Sequence, residues 1–138
     1  MPESFASAQA RIPVMSAADI VTARRATRDL CERLGFGKAD QTRLATAVSE
    51  LTRNVIQYAC EGVCLIEDAS DGQTRRIRVQ VEDRGPGIPD IPLALTDGYS
   101  TSGGLGAGLP GTRRLVDEFQ IESEPGHTRI SIILRKPR

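Results

Sequence analysis

The run Ser102-Gly103-Gly104-Leu105-Gly106-Ala107-Gly108-Leu109 leads into a helical pattern, and its surroundings decide the fold. Glycines ahead of a helix leave amide N–H groups exposed, and the helix dipole adds positive potential, so such a run can cradle a phosphate. No Gly-Lys-Ser or Gly-Lys-Thr follows, which excludes the Walker type of cradle. A dinucleotide fingerprint fits poorly as well: the spacing differs, no strand directly precedes the run, and no β-α-β unit contains it. Without a ligand the same residues read as a flexible hinge.

Working outward, Asp83 to Gly111 holds eight of the 13 glycines and four of the eight prolines. So long an irregular stretch inside a compact domain marks a lid or binding loop. Leu109 to Phe119 reads as a helix, then Gln120 to Ser123 and Thr128 to Leu134 as strands joined through Pro125-Gly126. Upstream, Arg76 to Glu82 alternates charged or polar residues with Ile77, Val79 and Val81, the pattern of a strand with one wet face. Val63 to Glu67 reads as its partner, and Asp68 to Thr74 with Asp71-Gly72 as the hairpin connection.

Two helical stripes come earlier. Ser16 offers an N-cap to Ile20, Ala23, Thr27, Leu30 and Leu34, with Gly35 as the stop. Asp40 is expected to cap a second helix carrying Leu44, Val48, Leu51, Val55 and Ala59. Arg11 to Met15 reads as a first, edge strand, because Pro13 cannot donate to a ladder on both sides. The order strand, helix, helix, strand, strand, loop, helix, strand, strand is an α+β fold: a mixed, mostly antiparallel sheet with helices on one face. Residues 1–10 are expected to form a flexible start, and 11–138 a single domain.

With 138 residues, 39% hydrophobic and 26% charged, the chain has the composition of one globular domain. Its 18 basic and 18 acidic residues balance, so no broad nucleic-acid footprint is expected. The basic set is 16 Arg and 2 Lys, which suits bidentate contacts to phosphate or carboxylate but also follows from GC-rich coding. No apolar run is long enough to span a bilayer, and Met1 to Ala10 lacks the features of a signal peptide. Three cysteines without such a signal suggest reduced thiols in the cytoplasm. Cys60 and Cys64 could pair on a metal, but the single His127 is far away and no second pair exists, so they read as small packing residues.

Four short constellations can carry chemistry. Glu50 and Asn54 stand four apart, one turn apart on one helix face, where a carboxylate and an amide oxygen can hold a nucleophile and a hard cation. Asp83-Arg84-Gly85-Pro86-Gly87 follows a strand; its carboxylate can take a ring amine while the glycines let backbone approach the ring. The glycine run above is the third. Thr128, after Gly126-His127, begins the last strand, where its hydroxyl can bond a ligand or a water. Each has a plainer reading as a solvated face, a turn, a hinge or a strand end. Their order carries more than any one of them.

In that order they resemble the ATPase superfamily shared by gyrase, histidine kinases, mismatch-repair ATPases and a heat-shock chaperone (GHKL type). The Glu50-to-Asn54 helix looks like its N box, and 83–87, 104–108 and 126–128 like its glycine boxes. The chain has no histidine-bearing dimerisation helix, so it is not a complete histidine kinase. Leu34-Gly35-Phe36-Gly37, Ala47 to Asn54, and above all Asp97 to Gly111 resemble the switch serine/threonine kinases of the bacterial stressosome (RsbT-type). Cys60 and His127 depart from the family, which expects glycine there.

The resemblance implies a two-layer α/β sandwich of the Bergerat, histidine-kinase-like type. It implies ATP and Mg²⁺ as cofactors. Glu50 would orient or deprotonate the attacking hydroxyl, and Asn54 would ligate Mg²⁺. Asp83 would take the adenine amine beside Gly85 and Gly87. Gly104, Gly106 and Gly108 would face the phosphates under a lid with Thr101 and Ser102, and Thr128 would support the adenine-side waters. The implied substrate is an antagonist protein of the STAS fold, and the implied downstream partner is a PP2C-type phosphatase that the released kinase activates. The alternatives are an anti-sigma factor that sequesters a sigma factor, and a nucleotide-dependent scaffold.

Overall fold

The computed structural model describes residues 8–59, 61–85 and 108–137. The elements run β1 (Ala8–Val14), α1 (Ala17–Arg33), α2 (Lys38–Tyr58), β2 (Gly62–Asp68), β3 (Thr74–Asp83), α3 (Gly108–Leu115), β4 (Glu118–Glu124) and β5 (His127–Pro137). One five-stranded sheet has the order β1-β2-β3-β5-β4. All four ladders are antiparallel, so among the described residues the expected mixed character is absent. The helices lie on one face, and the architecture is the expected two-layer α+β sandwich.

Alternation explains which face is which. Ile77, Val79 and Val81 of β3 and Ile130, Ile132 and Leu134 of β5 are buried towards the helices, with Cys64 and Ile66 of β2 beside them. From α2, Leu44, Val48, Leu51 and Val55 meet this aliphatic layer. Ser49 and Thr52 are also buried, and their hydroxyls donate to the carbonyls of Ala45 and Val48 at 2.8 Å, so no hydroxyl is left unpaired. Phe36 is the one aromatic buried in this core among the described residues.

The helix boundaries have local causes. At the start of α1, the Asp19 carboxylate reaches back to the backbone N–H groups of Met15 (2.8 Å) and Ser16 (3.0 Å). At its end Gly35 adopts φ +82°, its N–H donates to the Glu32 carbonyl, and the Phe36 N–H donates to that of Cys31. This is a Schellman stop, and burial of Phe36 completes it. The chain re-enters helix at once: Gly37, not Asp40, is the N-cap of α2. Asp40 sits inside the first turn and pairs with Arg43. The buried Gln41 amide donates to the Phe36 carbonyl at 2.9 Å and ties the connection to the helix.

Three further expectations shift. β1 begins at Ala8 rather than Arg11. α3 ends at Leu115 rather than Phe119, and β4 begins at Glu118. The Asp117 carboxylate accepts the Arg135 N–H at 2.8 Å, which marks where the chain turns from helix into the sheet. The β2–β3 connection is the expected hairpin: Asp71 accepts the N–H groups of Gln73 and Thr74 and pairs with Arg76, which holds its carboxyl below the ordinary value. Among the described residues no helix is long and apolar enough to cross a membrane.

Candidate active site

One row of residues crosses the sheet at the end where β3 finishes. Gly62 of β2 pairs with Asp83 of β3, Asp83 with Thr128 of β5, and Thr128 with Ser123 of β4. Asp83 follows Val79 and Val81 in the alternation, so its carboxylate belongs to the helix face of the sheet. Thr128 is buried on that face, and its hydroxyl lies 2.7 Å from that of Ser123. The sequence separated Asp83 and Thr128 widely; the β3–β5 register brings them side by side.

The Asp83 carboxylate accepts the Gly85 N–H at 2.9 Å through one oxygen. Burial pushes its carboxyl pKa up, while that hydrogen bond and the nearby His127 pull it down less. No cation within bonding reach neutralises it among the described residues. A half-buried carboxylate with a free oxygen and no counter-ion suits a neutral donor such as a ring amine.

Two glycines let the helix layer close on this row. A Cβ at Gly62 would lie 2.3 Å from the Glu82 carbonyl oxygen and 2.9 Å from Val55 Cγ1. A Cβ at Gly85 would lie 2.7 Å from Ala59 Cβ and 3.2 Å from the Tyr58 carbonyl oxygen. Both glycines therefore abut the C-terminal part of α2, the segment that begins at Asn54. The strand end bearing Asp83 and the helix bearing Glu50 and Asn54 form one corner of the molecule.

On α2, Glu50 and Asn54 are half-buried beside the fully buried Leu51 and Val55, as their spacing requires. Glu50 Oε1 accepts from Arg53 Nη1 at 2.8 Å, and its side chain is 16% exposed. Arg53 thus fixes one carboxylate oxygen and leaves the other available. Glu50 and Arg53 also line a shallow open groove of about 530 Å³ with Arg24 and Arg28 of α1 and Ala45, Thr46 and Ser49 of α2. The two α1 arginines carry no spacing motif and were invisible in the sequence; only the packing of α1 on α2 sets them beside Glu50.

Gly108 is the first residue of α3, so the last glycine of the run does open a helix. Gly87, Thr101, Ser102, Gly104 and Gly106 lie outside the described residues, as does Cys60. Among the described residues no cluster of three acidic, His or Cys side chains could hold a metal by itself. Cys31 and Cys64 are free and buried, and burial pushes both thiols up to about 12, so they pack and do not react. His127 faces outward, with Nε2 3.1 Å from Glu82 Oε2. Arg76 and Arg78 pair with Asp71 of the β2–β3 connection and Glu67 of β2.

Residues 14–134 match the histidine kinase-like ATPase domain model. The chain is 49% identical over 118 residues to serine/threonine-protein kinase RsbT of Bacillus subtilis, covering 86% of this chain and 89% of that one. The fold is similar to the RsbU and RsbW domains of Rv1364c from Mycobacterium tuberculosis (TM-score 0.64, 20% identity), with 94% of this chain covered and about a third (33%) of that one. It is also similar to the SiaB-SiaC complex structure from Pseudomonas aeruginosa (TM-score 0.63, 14% identity), covering 97% and 95% of the two chains. The chain therefore belongs to the histidine kinase-like ATPase family and, within it, to the RsbT-type serine/threonine kinases.

Proposed function

We propose that this protein transfers the γ-phosphoryl group of ATP, with Mg²⁺, to a serine or threonine of a STAS-domain antagonist, and that once released it binds and activates a PP2C-type phosphatase. The observation that carries the reading is the corner itself: an uncompensated carboxylate, Asp83, packed through Gly62 and Gly85 onto the helix bearing Glu50 and Asn54. The donor set fits the cofactor. A hard cation held by the Asn54 amide oxygen takes its remaining ligands from phosphate and water, so no acidic cluster is required.

In this reading Asp83 accepts the adenine amine through its free oxygen, and Gly85 and Gly87 keep side chains away from the ring. Thr128, held by Ser123, orients waters beside it. Gly104, Gly106 and Gly108 present N–H groups to the phosphates, with Thr101 and Ser102 in the segment covering them. When bound, Mg-ATP would supply the phosphoryl group, with Mg²⁺ offsetting part of the phosphate charge; the chain contributes positioning. Glu50 receives the hydroxyl proton of the acceptor or orients that hydroxyl, and Arg53 holds its carboxylate in place.

The test is phosphoryl transfer to a STAS-domain antagonist protein of the same organism, read by mass spectrometry of the acceptor. Glu50→Ala is expected to keep ATP affinity and to lower transfer by about 10²- to 10⁴-fold. Unchanged turnover would remove Glu50 from the mechanism. Binding of ATP without any transfer, together with recovery of a sigma factor in a pull-down, would favour the anti-sigma alternative.

A further inference from the structure

The buried stripe of α2 is mostly aliphatic, formed by Leu44, Val48, Leu51 and Val55. Thr52 stands among them with no exposed surface, and Ser49 is buried one turn earlier. Neither hydroxyl bonds to another element. The Ser49 hydroxyl donates to the Ala45 carbonyl at 2.8 Å. The Thr52 hydroxyl donates to the Val48 carbonyl at 2.8 Å and has the Ser49 carbonyl at 3.2 Å. In a helix those two carbonyls already accept the amides of Thr52 and Arg53, four residues on. Thr52 therefore adds a donor to the hydrogen-bond ladder just where the turn bearing Glu50, Arg53 and Asn54 begins.

Nothing in the core requires a hydroxyl at position 52. Valine would fill the same space, bury more apolar surface and leave no polar group to satisfy. Threonine is no better than valine as a helix former. A polar side chain at a fully buried site, bonded only to its own helix, breaks a local rule without a tertiary contact in return, and such breaks belong to functional sites. Hydroxyls bonded back to helix carbonyls also bend the helix that carries them. Here the neighbour is the mechanism: Arg53, next in the chain, donates to Glu50 Oε1 at 2.8 Å.

We propose that Thr52 is a positioning residue for phosphoryl transfer: its hydroxyl, bonded to the Val48 and Ser49 carbonyls, sets the turn of α2 that aims the Glu50 carboxylate relative to Asn54. This deepens, and rests on, the reading of Glu50 as the group that meets the acceptor hydroxyl. Thr52 touches neither substrate; it acts through Glu50.

The experiment compares wild type, Thr52→Val and Thr52→Ser in steady-state transfer from Mg-ATP to the STAS-domain acceptor, in calorimetric ATP binding and in urea denaturation. Thr52→Val removes the hydroxyl and keeps the shape. It is expected to lower kcat about tenfold, since small misplacements of a reacting group are costly. ATP affinity and acceptor KM should stay within about twofold, and the urea midpoint at or above that of wild type. Thr52→Ser keeps the hydroxyl and is expected to hold kcat within about threefold of wild type. Thr27 on α1 is the control: it is equally buried, its hydroxyl donates to the Ala23 carbonyl at 2.8 Å, and its helix carries no Glu50. Thr27→Val should leave kcat unchanged. In the Glu50→Ala background, Thr52→Val should have no further effect on transfer.

If Thr52→Val keeps the wild-type kcat while Glu50→Ala lowers it, the positioning role is wrong and the reading of Glu50 stands. A loss of kcat that follows a lowered urea midpoint and is not restored by Thr52→Ser would make Thr52 a packing residue and overturn the proposal. A loss that persists in full in the Glu50→Ala background would show that Thr52 does not act through Glu50, which also overturns it. Normal transfer by Glu50→Ala would overturn the underlying reading and the proposal together.

Discussion

Glu82 and Asp83 are consecutive carboxylates at the end of β3, and the sheet treats them in opposite ways. Glu82 faces outward, where His127 Nε2 lies 3.1 Å and Arg129 Nε 3.3 Å from its oxygens, and Arg129 continues to Glu122 at 3.4 Å. Asp83 faces the helix layer, accepts one backbone N–H, and forms no ion pair among the described residues. The outer charges pair with one another within the protein, although Arg129 Nε itself makes no hydrogen bond. The inner carboxylate is kept half-buried and available at some cost to the folded state. In one strand, a single residue step separates a carboxylate paired on the outer face from one left half-buried against the helices.

Removing the inner charge tests this contrast most strongly. Asp83→Asn is expected to weaken ATP binding by about 10- to 150-fold, the scale of a lost hydrogen bond to a charged group, while the fold survives. Calorimetric titration measures it, and near-normal affinity would detach Asp83 from the site. The same variant sharpens the comparison through pH. The native carboxyl titrates above the ordinary value of 3.8, so its native form holds the proton longer than the unfolded chain does. Its contribution to stability is therefore greatest below 3.8 and declines as pH rises through the native pKa. Asp83→Asn should consequently gain stability relative to wild type on going from mildly acidic to neutral pH, as read by urea denaturation at each pH. A loss over that interval would contradict the burial argument.

A second variant acts on the packing that joins the two halves of the site. The Cβ of Gly62→Ala would press on the Glu82 carbonyl and Val55, neither of which can move far. It should cost about 1–3 kcal/mol of stability and lower ATP affinity as well, because Asp83 is the cross-strand neighbour. Denaturation and titration together check it; lost stability with intact affinity would uncouple the corner from binding. The smallest effect is expected on the outer face. Glu82→Gln should cost less than about 1 kcal/mol and leave ATP affinity within about twofold, since partly exposed ion pairs contribute little. A large loss of affinity there would erase the distinction between the two faces.

The parts of this molecule that were legible in the sequence are those set by local rules. The alternation from Arg76 to Glu82 marked the wet face of β3, and the spacing of Leu51 and Val55 placed Glu50 and Asn54 at the rim of the core. The start of α2 was misread because Asp40 has better capping chemistry than Gly37. The Schellman stop at Gly35 and the Gln41–Phe36 hydrogen bond restart the helix earlier than a capping preference indicates. The end of α3 was misread because Phe119 continues a helical spacing, yet it pairs with Ile132 in the sheet. Nonlocal pairing overrode local pattern there. Arg24 and Arg28 could not have been found at all, since nothing near them in the chain marks the side that α2 covers.

The two hairpins have a kinetic consequence. β2 and β3 are joined by a short connection, as are β4 and β5, so each pair can form from contacts close in the chain. The β3–β5 ladder is the seam between them and must wait for the whole intervening stretch to close. Asp83 stands on one side of that seam and Thr128 on the other. During refolding the chain is therefore expected to gain hairpin structure before it gains any affinity for nucleotide, so ligand added early should leave the first steps unaccelerated.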